Sequence, residues 1–240
     1  MDDFPILSLA RMVRESARGI ALRDDGRAVG VAFKSDGSIF ALDCIVRFDI
    51  ADSEDPARRL ADAFAALGAR SIWFYGGDHA ARRAASALNL AFAPTGAAFI
   101  HNAESTIDRR DVVLRPPSAL DRISISEIAK EYGRGFASPE VLLAQRGDEV
   151  VGVVMSEPLD GHWTEVRAFV YPAQRGRGHG AAILAKRADQ LEAGGRLVCA
   201  ATETPEGRDR SALERAGFRL VDYYFQAKRS SRESGPTTRA

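Results

Sequence analysis

The ten residues YPAQRGRGHG, Tyr171–Gly180, constrain this chain more than any other stretch. They join a strand-like run, Trp163–Val170, to an alanine-rich segment, Gly178–Ala193. In that segment Ile183, Leu184, Ala188 and Leu191 fall on one helical face. A strand that turns on glycines straight into a helix brings the helix N-terminus to the turn. The first backbone N–H groups there have no intrahelical acceptor, and the aligned peptide dipoles make that end positive. Anions bind readily at such a place. Glycine removes the Cβ that would hold a phosphate off the backbone, and Arg175 and Arg177 add charge and forked donors. The stretch reads as a cradle for a diphosphate. No Gly-Lys-Ser/Thr closes it, so it is not a P-loop. A dinucleotide fingerprint fits poorly, since the glycines fall at 176, 178 and 180 and the next strand ends Cys199-Ala200-Ala201 without an acid. Nor is it a repetitive Gly-Arg segment for RNA, because it occurs once, inside a packed pattern.

The rest of the chain narrows the partners. Lys+Arg and Asp+Glu both number 33, so there is no basic excess and no nucleic-acid partner is expected. No apolar run approaches the ~18 residues of a membrane span, and Met-Asp-Asp-Phe-Pro opens the chain with acid where a secretory signal carries base. Cys44 and Cys199 each sit in an apolar strand-like run and read as buried thiols, which points to the cytoplasm. His79, His101, His162 and His179 show no metal-ligand spacing, so no metal is expected.

Two regions share one order of elements. In the first, strands over Gly19–Leu22, Val29–Phe33 and Ser38–Phe48 are separated by Asp-Asp-Gly and Ser-Asp-Gly turns. A helix over Pro56–Leu67, a strand SIWFY at Ser71–Tyr75, a helix over Ala80–Leu90 and a strand at Ala97–Ile100 follow. In SIWFY the aromatic residues Trp73, Phe74 and Tyr75 read as core rather than as a stacking platform. A polar stretch with Pro116-Pro117 separates the regions, and the boundary is set at residue 105. In the second, strands are expected at Val112–Leu114, Glu140–Gln145, Val150–Met155 and Trp163–Val170, with a helix near Ile125–Tyr132. The helix from Gly178 leads to a strand at Leu197–Ala201, a helix over Gly207–Ala216 and a last strand at Phe218–Lys228. Residues 229–240 are polar and read as a disordered tail. The repeated order points to an internal duplication of an α/β (α+β) unit.

Val170-Tyr171-Pro172 followed by Arg175-Gly176-Arg177-Gly178-His179-Gly180 resembles the pyrophosphate motif of the GNAT superfamily of acyl-CoA N-acyltransferases, Arg/Gln-x-x-Gly-x-Gly/Ala after Val-x-Pro. Leu213–Phe218, LERAGF, resembles the family's helix that ends in Gly-Phe. The resemblance covers residues 112–228, and the first region resembles the family only in its order of elements; together they imply two GNAT-like domains, each a mixed, mostly antiparallel sheet flanked by helices. Residues 106–228 would be the acetyltransferase domain and 1–105 a degenerate copy. The degenerate copy carries DIADSEDP, Asp49–Pro56, where a cradle should be, and its acids would repel a phosphate.

The resemblance further implies acetyl-CoA as co-substrate and an amine acceptor. The diphosphate would sit on Arg175, Gly176, Arg177, Gly178, His179 and Gly180, and the pantetheine arm would contact the backbone of Ala168, Phe169 and Val170. Glu165 would take the ammonium proton. The family's Glu usually stands one residue earlier, where Thr164 is found; strand side chains alternate faces, and a β-bulge could restore its facing. Glu203 is a weaker alternative. Leu213 occupies the place where the family often has a Tyr general acid, with Tyr223 and Tyr224 as ill-placed substitutes; Glu206-Gly207 replace a pantetheine-contacting Asn. Two readings remain open on the sequence: an N-acetyltransferase, or a non-catalytic acyl-CoA-binding or protein-interaction module. The acceptor amine and the oligomeric state are not legible.

Overall fold

The computed structural model describes residues 18–24, 27–34, 44–48, 55–67, 71–77, 79–102, 105–108, 111–118, 128, 140–159, 162–202 and 204–228. In chain order the elements are β1 (Arg18–Asp24), β2 (Arg27–Lys34), β3 (Cys44–Phe48), α1 (Pro56–Leu67), β4 (Ser71–Tyr75), α2 (His79–Ala87) and β5 (Ala91–His101). They continue with β6 (Val112–Arg115), β7 (Glu140–Arg146), β8 (Glu149–Pro158), β9 (Trp163–Val170), α3 (His179–Ala193), β10 (Leu197–Thr202), α4 (Arg208–Arg215) and β11 (Phe218–Lys228). Of the helix expected near 125–132 only Ile128, which is buried, is described. Residues 49–54 of the acidic DIADSEDP stretch, Glu203 and the tail lie outside the described residues.

The chain divides into two compact units, one over 96–222 and one over 18–95 with 223–228. β5 and β11 each contribute residues to both. This differs from a division at residue 105, because the long strand β5 changes unit midway. Its first residues, Ala91-Phe92-Ala93-Pro94-Thr95, lack the β-branched alternation that marks a strand, so the sequence showed only its apolar end.

In the unit over 18–95 with 223–228, β1 pairs antiparallel with β2 and β2 antiparallel with β3. β3 runs parallel to β4, and β4 antiparallel to the end of β11, from Tyr75 opposite Tyr224 to Ser71 opposite Lys228. Phe74 is fully buried, stacks on Phe225 at 5.8 Å and meets Phe92 edge-on at 6.1 Å, so it is core. The side chains of Trp73 and Tyr75 are outside the described set. Asp55 caps α1: its Oδ1 accepts from the Arg58 N–H at 3.0 Å, with Pro56 in the first helical position.

In the 96–222 unit the pairing sequence is the same. β7 is antiparallel to β8, β8 antiparallel to β9, β9 parallel to β10 and β10 antiparallel to β5. β6 adds an antiparallel edge on β7. In this unit the last strand of that pairing series, β5, precedes the others in sequence; in the other unit the last strand of the series, β11, follows the others.

The helix α3 lies on one face of the 96–222 sheet. Ala182 and Ile183 pack with Val112, Leu142, Ala144, Val151 and Val154. A buried arginine sets its position: Arg187 Nη2 and Nε donate to Ser156 Oγ at 2.8 and 3.2 Å, and Nη2 also pairs with Glu140. The opposite face holds Ile128, Leu143, Val153 and Met155, with Phe169 and Tyr171 against them.

Gly152 on β8 stands opposite Val170, and a Cβ there would fall 2.3 Å from the Phe169 carbonyl oxygen and 3.2 Å from Ile183 Cδ1. The nearest atom is backbone and cannot swing away. Gly152→Ala is expected to destabilise the fold by about 1–3 kcal/mol, read as a lower denaturant midpoint at unchanged slope.

Candidate active site

The turn between β9 and α3 is built by backbone bonds. The Tyr171 N–H donates to the Val151 carbonyl at 3.1 Å, and a short 3₁₀ turn, Pro172–Gln174, redirects the chain. Gly176 and Gly178 both have φ of +82°, a left-handed backbone that costs a residue with a Cβ about 1–2 kcal/mol. Gly178 is the N-cap of α3 and supplies no side-chain cap. The first intrahelical bond runs from the Ala182 N–H to the Gly178 carbonyl at 3.2 Å. The N–H groups of His179, Gly180 and Ala181 come before it and have no carbonyl within the helix to meet. At Gly180 a Cβ would make only ordinary contacts, 3.5 Å to Val170 and 3.9 Å to Ala212, so packing alone does not demand glycine there.

Cations surround this helix end. Arg175 donates from Nε to the Val170 carbonyl at 3.1 Å, with its guanidinium 5.5 Å above the Phe169 ring. Arg177 donates to Gln174 Oε1 at 3.1 Å, and Gln174 in turn donates to Glu149. His179 turns its ring into the protein and is buried. Burial first, then the positive charges of Arg146 and Arg177, hold its pKa below the ordinary 6.5, against an opposing pull from Glu149. At neutral pH its imidazole is therefore uncharged. Its share of stability falls as pH drops below 6.5, where the unfolded chain takes up a proton that the folded ring resists.

The turn has two neighbours that the sequence reading passed over. The Nη2 of Arg215, at the end of α4, and the Cδ1 of Ile107 each lie 3.3 Å from where a Cβ of Gly178 would stand. Arg215 belongs to the LERAGF run, but nothing in its local sequence shows that it comes to lie beside a glycine 37 residues earlier.

The strand β9 parts from β10 within its length. Their parallel ladder covers Leu197 with Trp163, Val198 with Thr164 and Cys199 with Glu165. Past that rung β9 continues to Val170 against β8, while β10 goes on to Thr202 against β5. Ala168, Phe169 and Val170 thus lie on the stretch of β9 beyond the fork, next to the turn.

Glu165 stands on the last shared rung, with 1% of its surface exposed. Its Oε1 lies 3.6 Å from Arg167 Nη2, and it faces Glu157 across the β8–β9 ladder. That ladder runs without a register shift from Pro158 opposite Thr164 to Gly152 opposite Val170, so no bulge displaces Glu165. It keeps the face of Arg167 and Phe169, so the bulge that could have restored the facing of the family's Glu is absent and Glu165 stands on the other parity from Thr164. Thr164, on the other parity, is held by Arg196, whose Nε donates to Thr164 Oγ1 at 2.9 Å. Leu213 is buried on α4 and offers no acid. Tyr224 pairs with Tyr75 in the other unit, so it is packing there. Among the described residues no cluster of three His, Cys, Asp or Glu side chains is placed to hold a metal, and no helix is long and apolar enough to cross a membrane.

Residues 111–218 match the family model described as Acetyltransferase (GNAT) family. No curated protein matches the chain. Solved structures do. A GNAT-family acetyltransferase from Colwellia psychrerythraea aligns over 95% of this chain and 96% of its own, with 10% identity and a TM-score of 0.65. A GCN5-related N-acetyltransferase from Kribbella flavida aligns over 94% and 95%, with 18% identity and a TM-score of 0.61. A tandem GNAT protein from the clavulanic acid biosynthesis pathway covers 92% of this chain and 87% of its own, at 14% identity and a TM-score of 0.56. At these identities the structures speak for the fold.

Proposed function

We propose, from the match of residues 111–218 to the GNAT acetyltransferase family model, that this chain is an acyl-CoA N-acyltransferase and moves acetyl from acetyl-CoA to a primary amine by direct attack. The observation that carries this reading is the turn: two left-handed glycines, a helix N-terminus without a side-chain cap, and arginines on either side. The CoA diphosphate would rest on the amides of residues 176–180, with Arg175 and Arg177 beside it. The pantetheine arm would run along Ala168, Phe169 and Val170, beyond the fork of β9 and β10. That course leads from the turn toward Glu165, on the last shared rung.

Glu165 is the base in this reading. Only the neutral amine is a nucleophile, so an acceptor that arrives as ammonium must lose a proton. The carboxylate of Glu165 takes it, directly or through water. The amine nitrogen then bonds to the acetyl carbon, the carbon–sulfur bond breaks, CoA departs as thiolate, and the extra proton on the acylated nitrogen passes to that thiolate, directly or through water, to leave the neutral amide and CoA thiol. A thiol pKa of ~8.5 makes that a tolerable leaving group without an acid, which fits a buried Leu213 in the acid's place. Glu165→Gln is expected to lower turnover by on the order of 10²-fold and to leave CoA affinity unchanged. A Gln variant with wild-type turnover and pH profile would remove Glu165 from the role.

The other unit, over 18–95 with 223–228, is in our reading a degenerate copy that binds no CoA, making the chain a tandem protein. Two observations support it. The order and sense of strand pairing repeat, antiparallel, antiparallel, parallel, antiparallel. Where α3 begins on an uncapped glycine, α1 begins on Asp55, whose own carboxylate takes the helix-end N–H. A helix start filled by a protein carboxylate has no room for a phosphate and repels one. The buried free thiol of Cys199 is in keeping with a cytoplasmic setting.

A further inference from the structure

Building on that assignment of the turn, we infer that Arg215 binds a phosphate of the same acyl-CoA, so that α4 as well as the turn grips the nucleotide end. Its guanidinium Nη2 reaches to 3.3 Å from the Cβ position of Gly178, the residue that starts α3. The end of α4 is itself fixed: the Arg215 carbonyl accepts from Ser105 Oγ at 3.1 Å, from the Thr106 N–H at 3.2 Å and from Thr106 Oγ1 at 3.4 Å. Ile107, which follows, packs at the same glycine. The side chain therefore springs from an anchored backbone.

The charges around the turn single it out. Arg175 is taken up by the Val170 carbonyl and the Phe169 ring, and Arg177 by Gln174. Arg146 pairs with Asp111 at 3.0 Å. On α4, Glu214 is paired with Arg210 at 2.8 Å and leaves Arg215 to itself. Among the described residues Arg215 has no carboxylate partner, although it lies against a helix end that is already positive. Holding a guanidinium there costs repulsion that an anion between the two would reverse. Coenzyme A offers two such anions, its diphosphate and its separate 3′-phosphate.

The test is calorimetric titration of the full chain, wild type against Arg215→Gln and Arg215→Lys, with CoA and with dephospho-CoA. Arg215 is exposed, so both variants should keep the wild-type Tm. Arg215→Gln should weaken CoA binding about ten- to a hundred-fold, and Arg215→Lys, which keeps the charge, should lose less. An equal loss for both ligands assigns Arg215 to the diphosphate. A loss confined to CoA assigns it to the 3′-phosphate. Unchanged affinity in Arg215→Gln, or equal losses in Gln and Lys, would overturn the inference and leave the turn intact. A wild-type chain that binds no CoA would overturn the turn's assignment as well.

Discussion

Gly178→Val is expected to lose coenzyme A binding by on the order of 10²-fold or more, since several charge-assisted hydrogen bonds depend on close backbone approach. The reason is double. Position 178 has φ of +82°, which a β-branched residue avoids, and its Cβ would press on Arg215 and Ile107 at 3.3 Å. Valine there would shift the turn and stand between the amides and the phosphate. In the same titration the wild-type chain should bind one CoA. Two per chain would show that the helix start capped by Asp55 is also a site, against the reading of a degenerate copy. Unchanged affinity in the variant would remove the turn from cofactor binding altogether.

A fragment that begins at Asp111 is expected to be insoluble or unfolded, although it contains the whole family match. The fragment lacks β5, and β5 supplies the strand that pairs with β10, from Ile100 opposite Cys199 to Ala97 opposite Thr202. Ala97, Ala98, Phe99 and Ile100 are all buried in the unit that the fragment represents. Removing them uncovers an apolar strand edge, a template for aggregation. A fragment spanning Gly96–Asp222, the compact unit itself, retains that strand without the part of β11 that pairs with β4, and should recover solubility. A soluble, cooperatively unfolding 111–240 fragment would show that β5 is dispensable.

Local sequence signals place single elements and not their partners. Pro56–Leu67, Ser71–Tyr75, Trp163–Val170 and Phe218–Lys228 take the bounds expected from their patterns, because apolar period, proline and glycine are local signals. Which strand lies beside which is not local. Nothing near Cys199 in sequence indicates that its partner is Ile100. An order of elements repeated along the chain suggests two consecutive domains, whereas β5 and β11 each divide between the units.

The site divides in the same way. The turn was legible because strand, proline, glycines and helix are contiguous, and Gly176 and Gly178 have the positive φ that glycine permits. The facing of Glu165 was settled by register: an unbroken β8–β9 ladder leaves no bulge, so alternation alone decides it. Arg215 and Ile107 were invisible, since both reach Gly178 through tertiary packing.

Release of free thiol from acetyl-CoA, followed against a panel of primary amines with the full-length chain, tests the central claim most directly. The account predicts thiol release that requires an amine and yields the N-acetyl product in equal amount. Coenzyme A binding with no amine-dependent release across the panel would contradict it, and would make this chain an acyl-CoA-binding module.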